Sequence, residues 1–77
     1  MYKEFVDVIV KYTRQGKILP MIIIWNDGRK YEIDKILDIS PAPSLKVGGQ
    51  GIRYQCRIKG KNTYLWLEDE YWFVEAK

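Results

Sequence analysis

Four aromatic rings and two guanidinium groups crowd the last third of this 77-residue chain: Arg53 and Arg57, then Tyr64 and Trp66, then Tyr71 and Phe73. Rings of this kind stack on planar groups, and arginine adds cation–π contact and ion pairing with phosphate or carboxylate. The competing expectation is that the first strands or the long loop cover these rings, since aromatics in so small a chain serve the core first. Left open, the same chemistry makes a binding surface. It is used both for single-stranded nucleic acid and for the hot spots of protein interfaces. Groups able to carry a reaction are scarce. The chain has no histidine, which excludes Ser-His-Asp and Cys-His sites and every histidine metal site. Asp34 with Asp38, and Glu68 with Glu70, are carboxylate pairs, but they fall in a bend and a turn, where solvated charge explains them without a raised pKa. Cys56 is the only cysteine, so no internal disulfide and no multi-thiolate metal site can form. Its strand phase points it inward, as a small buried hydrophobe. The expectation is a non-enzymatic domain with no cofactor and no metal.

The elements that must position these residues are strands, because apolar residues recur at every second position and are mostly β-branched or aromatic. With Gly60-Lys61 as a two-residue turn, Ile58 faces Thr63, Cys56 faces Leu65 and Tyr54 faces Leu67 on an apolar side. Arg57 then lies opposite Tyr64, and Gln55 opposite Trp66, on the other side. A second turn at Asp69-Glu70 sets Leu67 against Trp72 and Leu65 against Val74 inside, with Trp66 against Phe73 and Glu68 against Tyr71 outside. Loops of odd length would exchange the faces and mix Arg57 with Leu65.

Upstream, Val6, Val8, Val10 and Tyr12 alternate with Asp7, Ile9 and Lys11, a strand with one apolar face. Arg14-Gln15-Gly16 suits a three-residue hairpin loop, and a return strand follows over 17–25. Asn26-Asp27-Gly28 is the strongest turn signal. A two-residue turn there pairs Ile24 with Tyr31 and Ile22 with Ile33, in phase with the valines. It leaves Met21, Ile23 and Trp25, with Ile9, as a second apolar row that invites a dimer or a partner. The phase breaks at Asp34-Lys35 in the next strand, 29–39, which predicts a bulge or bend. The expected shared interior is Leu65, Leu67, Val74, Tyr54, Val8, Val10 and Ile22.

Residues 40–51 hold Pro41, Pro43, Gly48, Gly49 and Gly51 and read as a long loop without regular structure. The glycine spacing fits neither the dinucleotide fingerprint nor the phosphate-binding loop. Charge is uneven along the chain. Lys46, Arg53, Arg57, Lys59 and Lys61 face no acidic residue between Ile39 and Leu67, whereas Glu68, Asp69, Glu70 and Glu75 outweigh Lys77 at the end. A bipolar surface follows. No export signal or membrane-length apolar run is visible, and the lone cysteine suits the cytoplasm. The length accommodates a single domain, residues 1–77.

The strand order, with Trp25-Asn26-Asp27-Gly28-Arg29-Lys30-Tyr31 in the middle and Trp72-Phe73 near the end, resembles small SH3-like barrels. It is also similar to short uncharacterised bacterial proteins with a central Trp-x-x-Gly-Arg-x-Tyr turn and a terminal Trp hairpin, some of them encoded beside translesion-polymerase genes. The resemblance spans most of the chain and transfers no catalytic residue. It implies an all-β fold, a small SH3-like barrel or a strongly bent antiparallel meander of five to six strands. The function expected is a binding module for a protein partner or for itself. The alternatives are an accessory factor that binds single-stranded nucleic acid in DNA repair or replication, and a structural homodimer. No membrane role is expected.

Overall fold

The structure, a computed structural model, describes residues 2–42 and 51–76 and is all-β. In chain order the strands are β1 (Tyr2–Phe5), β2 (Asp7–Tyr12), β3 (Ile18–Ile24), β4 (Lys30–Glu32), β5 (Lys35–Pro41), β6 (Gly51–Ile58), β7 (Lys61–Glu68) and β8 (Tyr71–Ala76). They form two antiparallel sheets, β1-β8-β7-β6-β5 and β2-β3-β4. Among the described residues the two sheets do not close into a barrel. The described residues form eight strands and not five or six, because two long runs turn a corner from one sheet into the other. At the first corner Val6 donates its N–H to Trp72 O at 3.1 Å, after which β2 pairs with β3. At the second, consecutive amides bond into different sheets, Ile33 N–H to Met21 O and Asp34 N–H to Arg57 O, both at 2.9 Å. This is the bend that the phase break at Asp34-Lys35 announces.

Turn geometry decides which residues face inward. The loop Arg14-Gln15-Gly16 closes as expected, with Thr13 N–H on Lys17 O at 2.8 Å and Gly16 at φ +84°. Asn26-Asp27-Gly28 closes in the same three-residue way, with Trp25 N–H on Arg29 O at 2.8 Å and Gly28 at φ +88°. Here the two-residue expectation is wrong, and one extra loop residue flips the strand face. Ile23, not Ile22, therefore stands beside Val8 and Tyr31 on the inner side. Ile22 lies between Ile9 and Glu32 on the outer side. Val10 is exposed, against expectation, because the register slips between Ile9 and Val10 and carries the end of the hairpin off the core.

The β6–β7 turn falls on Lys59-Gly60, one residue earlier than expected, so Tyr54 faces Leu65 and Ile52 faces Leu67. That slip moves the pairing by two residues, an even number, so the inward and outward sets survive while the partners change. Asp69-Glu70 forms the last turn in the expected register. The interior holds Val6, Ile23, Tyr54, Cys56 and Leu65, flanked by half-buried Val8, Trp25, Tyr31, Ile52, Leu67, Trp72 and Val74. Tyr54 crosses between the sheets to donate its hydroxyl to Ile18 O at 2.6 Å, which satisfies the one polar atom that this large ring buries. Three residues expected in the long loop lie in strands: Ser40 and Pro41 end the edge strand β5 and Gly51 begins β6. A Cβ on Gly51 would collide with the Ala42 carbonyl oxygen, so only glycine allows β5 and β6 to close here. The rest of that loop, residues 43–50, lies outside the described residues.

Candidate binding cleft and aromatic strip

The outer face of the five-stranded sheet carries the predicted aromatic and basic residues, and the register fixes their neighbours. Arg53 on β6 lies opposite Trp66 on β7, which lies opposite Phe73 on β8, which lies opposite Phe5 on β1. The Arg53 guanidinium sits over the Tyr64 ring at 4.8 Å and the Trp66 ring at 5.8 Å. Trp66 and Phe73 stack with centroids 6.0 Å apart and planes only 4° off parallel. Phe5 meets Phe73 at 5.8 Å and Tyr71 at 6.3 Å, edge to face. Lys3 Nζ lies 4.7 Å above Phe73 and 3.2 Å from Glu68 Oε1. The result is a continuous strip of rings and cations across four strands.

The strip brings together five of the six predicted residues, Arg53, Tyr64, Trp66, Tyr71 and Phe73. It does not include Arg57, which the two-residue register slip places opposite Lys35 and Asn62, four residues along β6 from Arg53. Phe73 shares the outer face yet is buried, because Phe5, Trp66 and Lys3 close over it. Lys3 and Phe5 escape the sequence reading, which starts its first strand near Val6. Their only signal is a short alternation over 2–5 that completes the sheet by pairing with β8.

A second feature was not foreseen. The β7–β8 ladder runs only from Glu68↔Tyr71 to Trp66↔Phe73, although both strands continue. Antiparallel ladders alternate bonded and non-bonded pairs. The bonded partners on the β6 side leave the N–H and C=O of Asn62 and Tyr64 pointing away from β6, toward the gap. On β8, residues 72, 74 and 76 turn toward β1, and Glu75 turns toward the same gap. Among the described residues the β7–β8 ladder stops at Trp66↔Phe73.

Where the strands part, a cleft of about 650 Å³ opens between the two sheets. Its floor is Ile23, Ile58 and Val74, and Trp25, Tyr31 and Trp66 form walls. Lys59 and Lys61 stand on its rim, with Glu75 the only acidic residue lining it among the described residues. Lys59 Nζ lies 5.2 Å from the centre of the Tyr31 ring, which fixes one cation at the mouth. Ile23 and Trp25 face this cleft because of the three-residue turn at 26–28. They are the surplus apolar row of the sequence reading, now accounted for as core and cleft wall, while exposed Met21 and Ile9 stay outside.

Burial pushes the Cys56 thiol up from 9.0 to about 11, which keeps it protonated and poorly nucleophilic. Burial likewise raises Tyr54, with a smaller contribution from the neighbouring Cys56. Among the described residues no cluster of three or more Cys, Asp or Glu is arranged to hold a metal ion, and no helix is long and apolar enough to cross a membrane. Comparison with protein-family models, curated proteins and solved structures finds no match for this chain.

Proposed function

We propose that this chain is a non-catalytic protein-binding module that works in the cytoplasm through the cleft beside the β7–β8 split. The observation that carries this reading is the coincidence of an apolar, aromatic-walled cleft with strand edges that run on beyond the end of the β7–β8 ladder. Ligand sites of this size are mostly apolar with a few convergent polar groups, and open strand edges are where extended peptides add. The two bent strands linking the sheets keep the SH3-like comparison in play for the architecture, as part of the same proposal.

The runner-up is a single-stranded nucleic-acid accessory factor, favoured by Arg53 lying over Tyr64 and Trp66 with Lys59 and Lys61 nearby. It ranks second because the strip stacks largely on itself: Phe73 is buried and one side of Trp66 is taken by Phe73. One experiment separates the two. Random decapeptides selected on the immobilised chain are mapped by amide and indole NMR shifts, beside a titration with labelled oligothymidylate at low salt. The proposal expects selected peptides to shift the Trp25 and Trp66 indole signals and the Thr63 amide. Peptides that map elsewhere, or none selected while the oligonucleotide binds with a steep salt dependence, would overturn it.

A further inference from the structure

Resting on that reading, we infer that the occupant of the split is an extended, acidic strand of a protein partner, which adds to β7 at Tyr64. Three features converge on this occupant. The first is backbone register. Tyr64 offers its N–H and C=O groups toward the gap beyond the last β7–β8 pair, Trp66↔Phe73, where an added strand can bond to them with every second residue of its own. The second is the alternation of faces. On β7, Thr63 and the fully buried Leu65 lie on the inner side of the pleat while Tyr64 and Trp66 share the outer face with Arg53, and Thr63, Tyr64 and Trp66 all border the cleft. A strand laid beside β7 continues that pleat. It sends alternate side chains down between Trp25, Tyr31 and Val74 and the intervening ones outward toward the Arg53 strip. Apolar or aromatic residues therefore belong at one set of positions and polar ones at the other.

The third feature is charge. The β6–β7 turn at the mouth carries Lys59 and Lys61, with Arg57 and Lys35 paired behind it on the adjoining strands. Among the described residues Glu75 is the one carboxylate lining the cleft, on the opposite lip, and Asp34 accepts the Lys59 N–H at 3.0 Å beside the turn. A cationic peptide would meet two ammonium groups at the entrance, whereas carboxylates near the end of the strand that reaches the turn would be drawn to them. Lys59 is held over Tyr31, so its charge is already in place. The contact is of the kind that speeds and orients docking and weakens with salt.

The inference is tested with synthetic peptides on the intact chain. The probe is acetyl-Glu-Glu-Thr-Phe-Thr-Val-Thr-amide, compared with the same peptide carrying lysines for glutamates. Two further versions are N-methylated on alternate backbone nitrogens, one version for each set. Binding is followed by tryptophan fluorescence and by the Asn62, Thr63 and Tyr64 amide signals. At low salt the acidic peptide is expected to bind at least tenfold more tightly than the basic one, with Lys61→Glu narrowing that preference by several-fold. One N-methyl set should lose tenfold or more, and the other should be nearly silent. Equal binding of acidic and basic peptides would overturn the charge assignment, and equal tolerance of both N-methyl sets would overturn strand addition. If decapeptides selected without bias occupy the cleft while the acidic strand does not, this inference falls and the cleft reading stands. If nothing occupies the cleft, both fall.

Discussion

Replacing Ile23 and Ile22 in turn tests the phase on which the cleft depends. Ile23 is 3% exposed and belongs to the interior cluster with Tyr54, Cys56 and Leu65, whereas its neighbour Ile22 is only half-buried on the opposite face, between Ile9 and Glu32. Truncating a fully buried isoleucine to alanine costs about 2–5 kcal/mol. Removing a cross-strand neighbour on a partly solvated face costs about 1 kcal/mol or less. A domain of this length has a total stability of about 4–12 kcal/mol, so Ile23→Ala removes a large share of it and Ile22→Ala does not. Urea unfolding followed by tryptophan fluorescence suits the comparison, since Trp25 and Trp72 both adjoin the core. With a slope of about 1 kcal/mol per molar for a small domain, the Ile23→Ala midpoint should fall by roughly 2 M or more and that of Ile22→Ala by no more than about 1 M. Should Ile23→Ala unfold the chain outright, Ile23→Val against Ile22→Val gives the same ordering at about 0.5–1.5 kcal/mol for the buried site. An Ile22 variant that loses as much as or more than its Ile23 counterpart would mean that the turn at 26–28 has two residues. Trp25 would then not wall the cleft.

Two further outcomes follow from individual groups. The Cys56 thiol is raised from 9.0 to about 11, and Tyr54 is raised in the same direction. The unfolded chain therefore releases the cysteine proton first, and stability should be full below about pH 9 and decline from there toward pH 11. Cys56→Ala should flatten that decline, and a thiol reagent at pH 8 should label the wild-type chain only as fast as it opens. Asp69 and Glu70 both adopt left-handed backbone, at φ 50° and 71°, a conformation that disfavours side chains other than glycine or asparagine. Glu70→Gly should raise the thermal midpoint by a few degrees, corresponding to about 0.5–1 kcal/mol. A lowered midpoint would contradict the assigned turn.

Much of the fold is legible in the residue pattern, because period-two alternation and glycine-bearing turns act locally. The corner at Asp34 shows itself as a break in that alternation, and the Asp69-Glu70 turn follows from the need to keep Leu65 and Leu67 on one side. What escapes is parity. Asn26-Asp27-Gly28 satisfies a two-residue and a three-residue closure almost equally well, and the choice decides whether Ile22 or Ile23 is core. Both rows are apolar, so composition does not arbitrate. The β6–β7 slip is harmless for the faces but takes Arg57 out of the aromatic strip and gives Trp66 to Arg53. The cleft itself leaves no local trace, since it arises where two paired strands diverge and where Ile23, Trp25 and Tyr31 arrive from the other sheet.

Native-state amide hydrogen exchange, resolved by residue, tests the β7–β8 split most directly. Along β7, Thr63 and Leu65 bond toward β6 while Asn62 and Tyr64 face the gap, so protection should alternate: slow exchange at 63 and 65, and exchange near the unstructured rate at 62 and 64. Uniform strong protection from 62 to 65 would show β7 and β8 zipped together along their length, with no free edge for a partner strand to join.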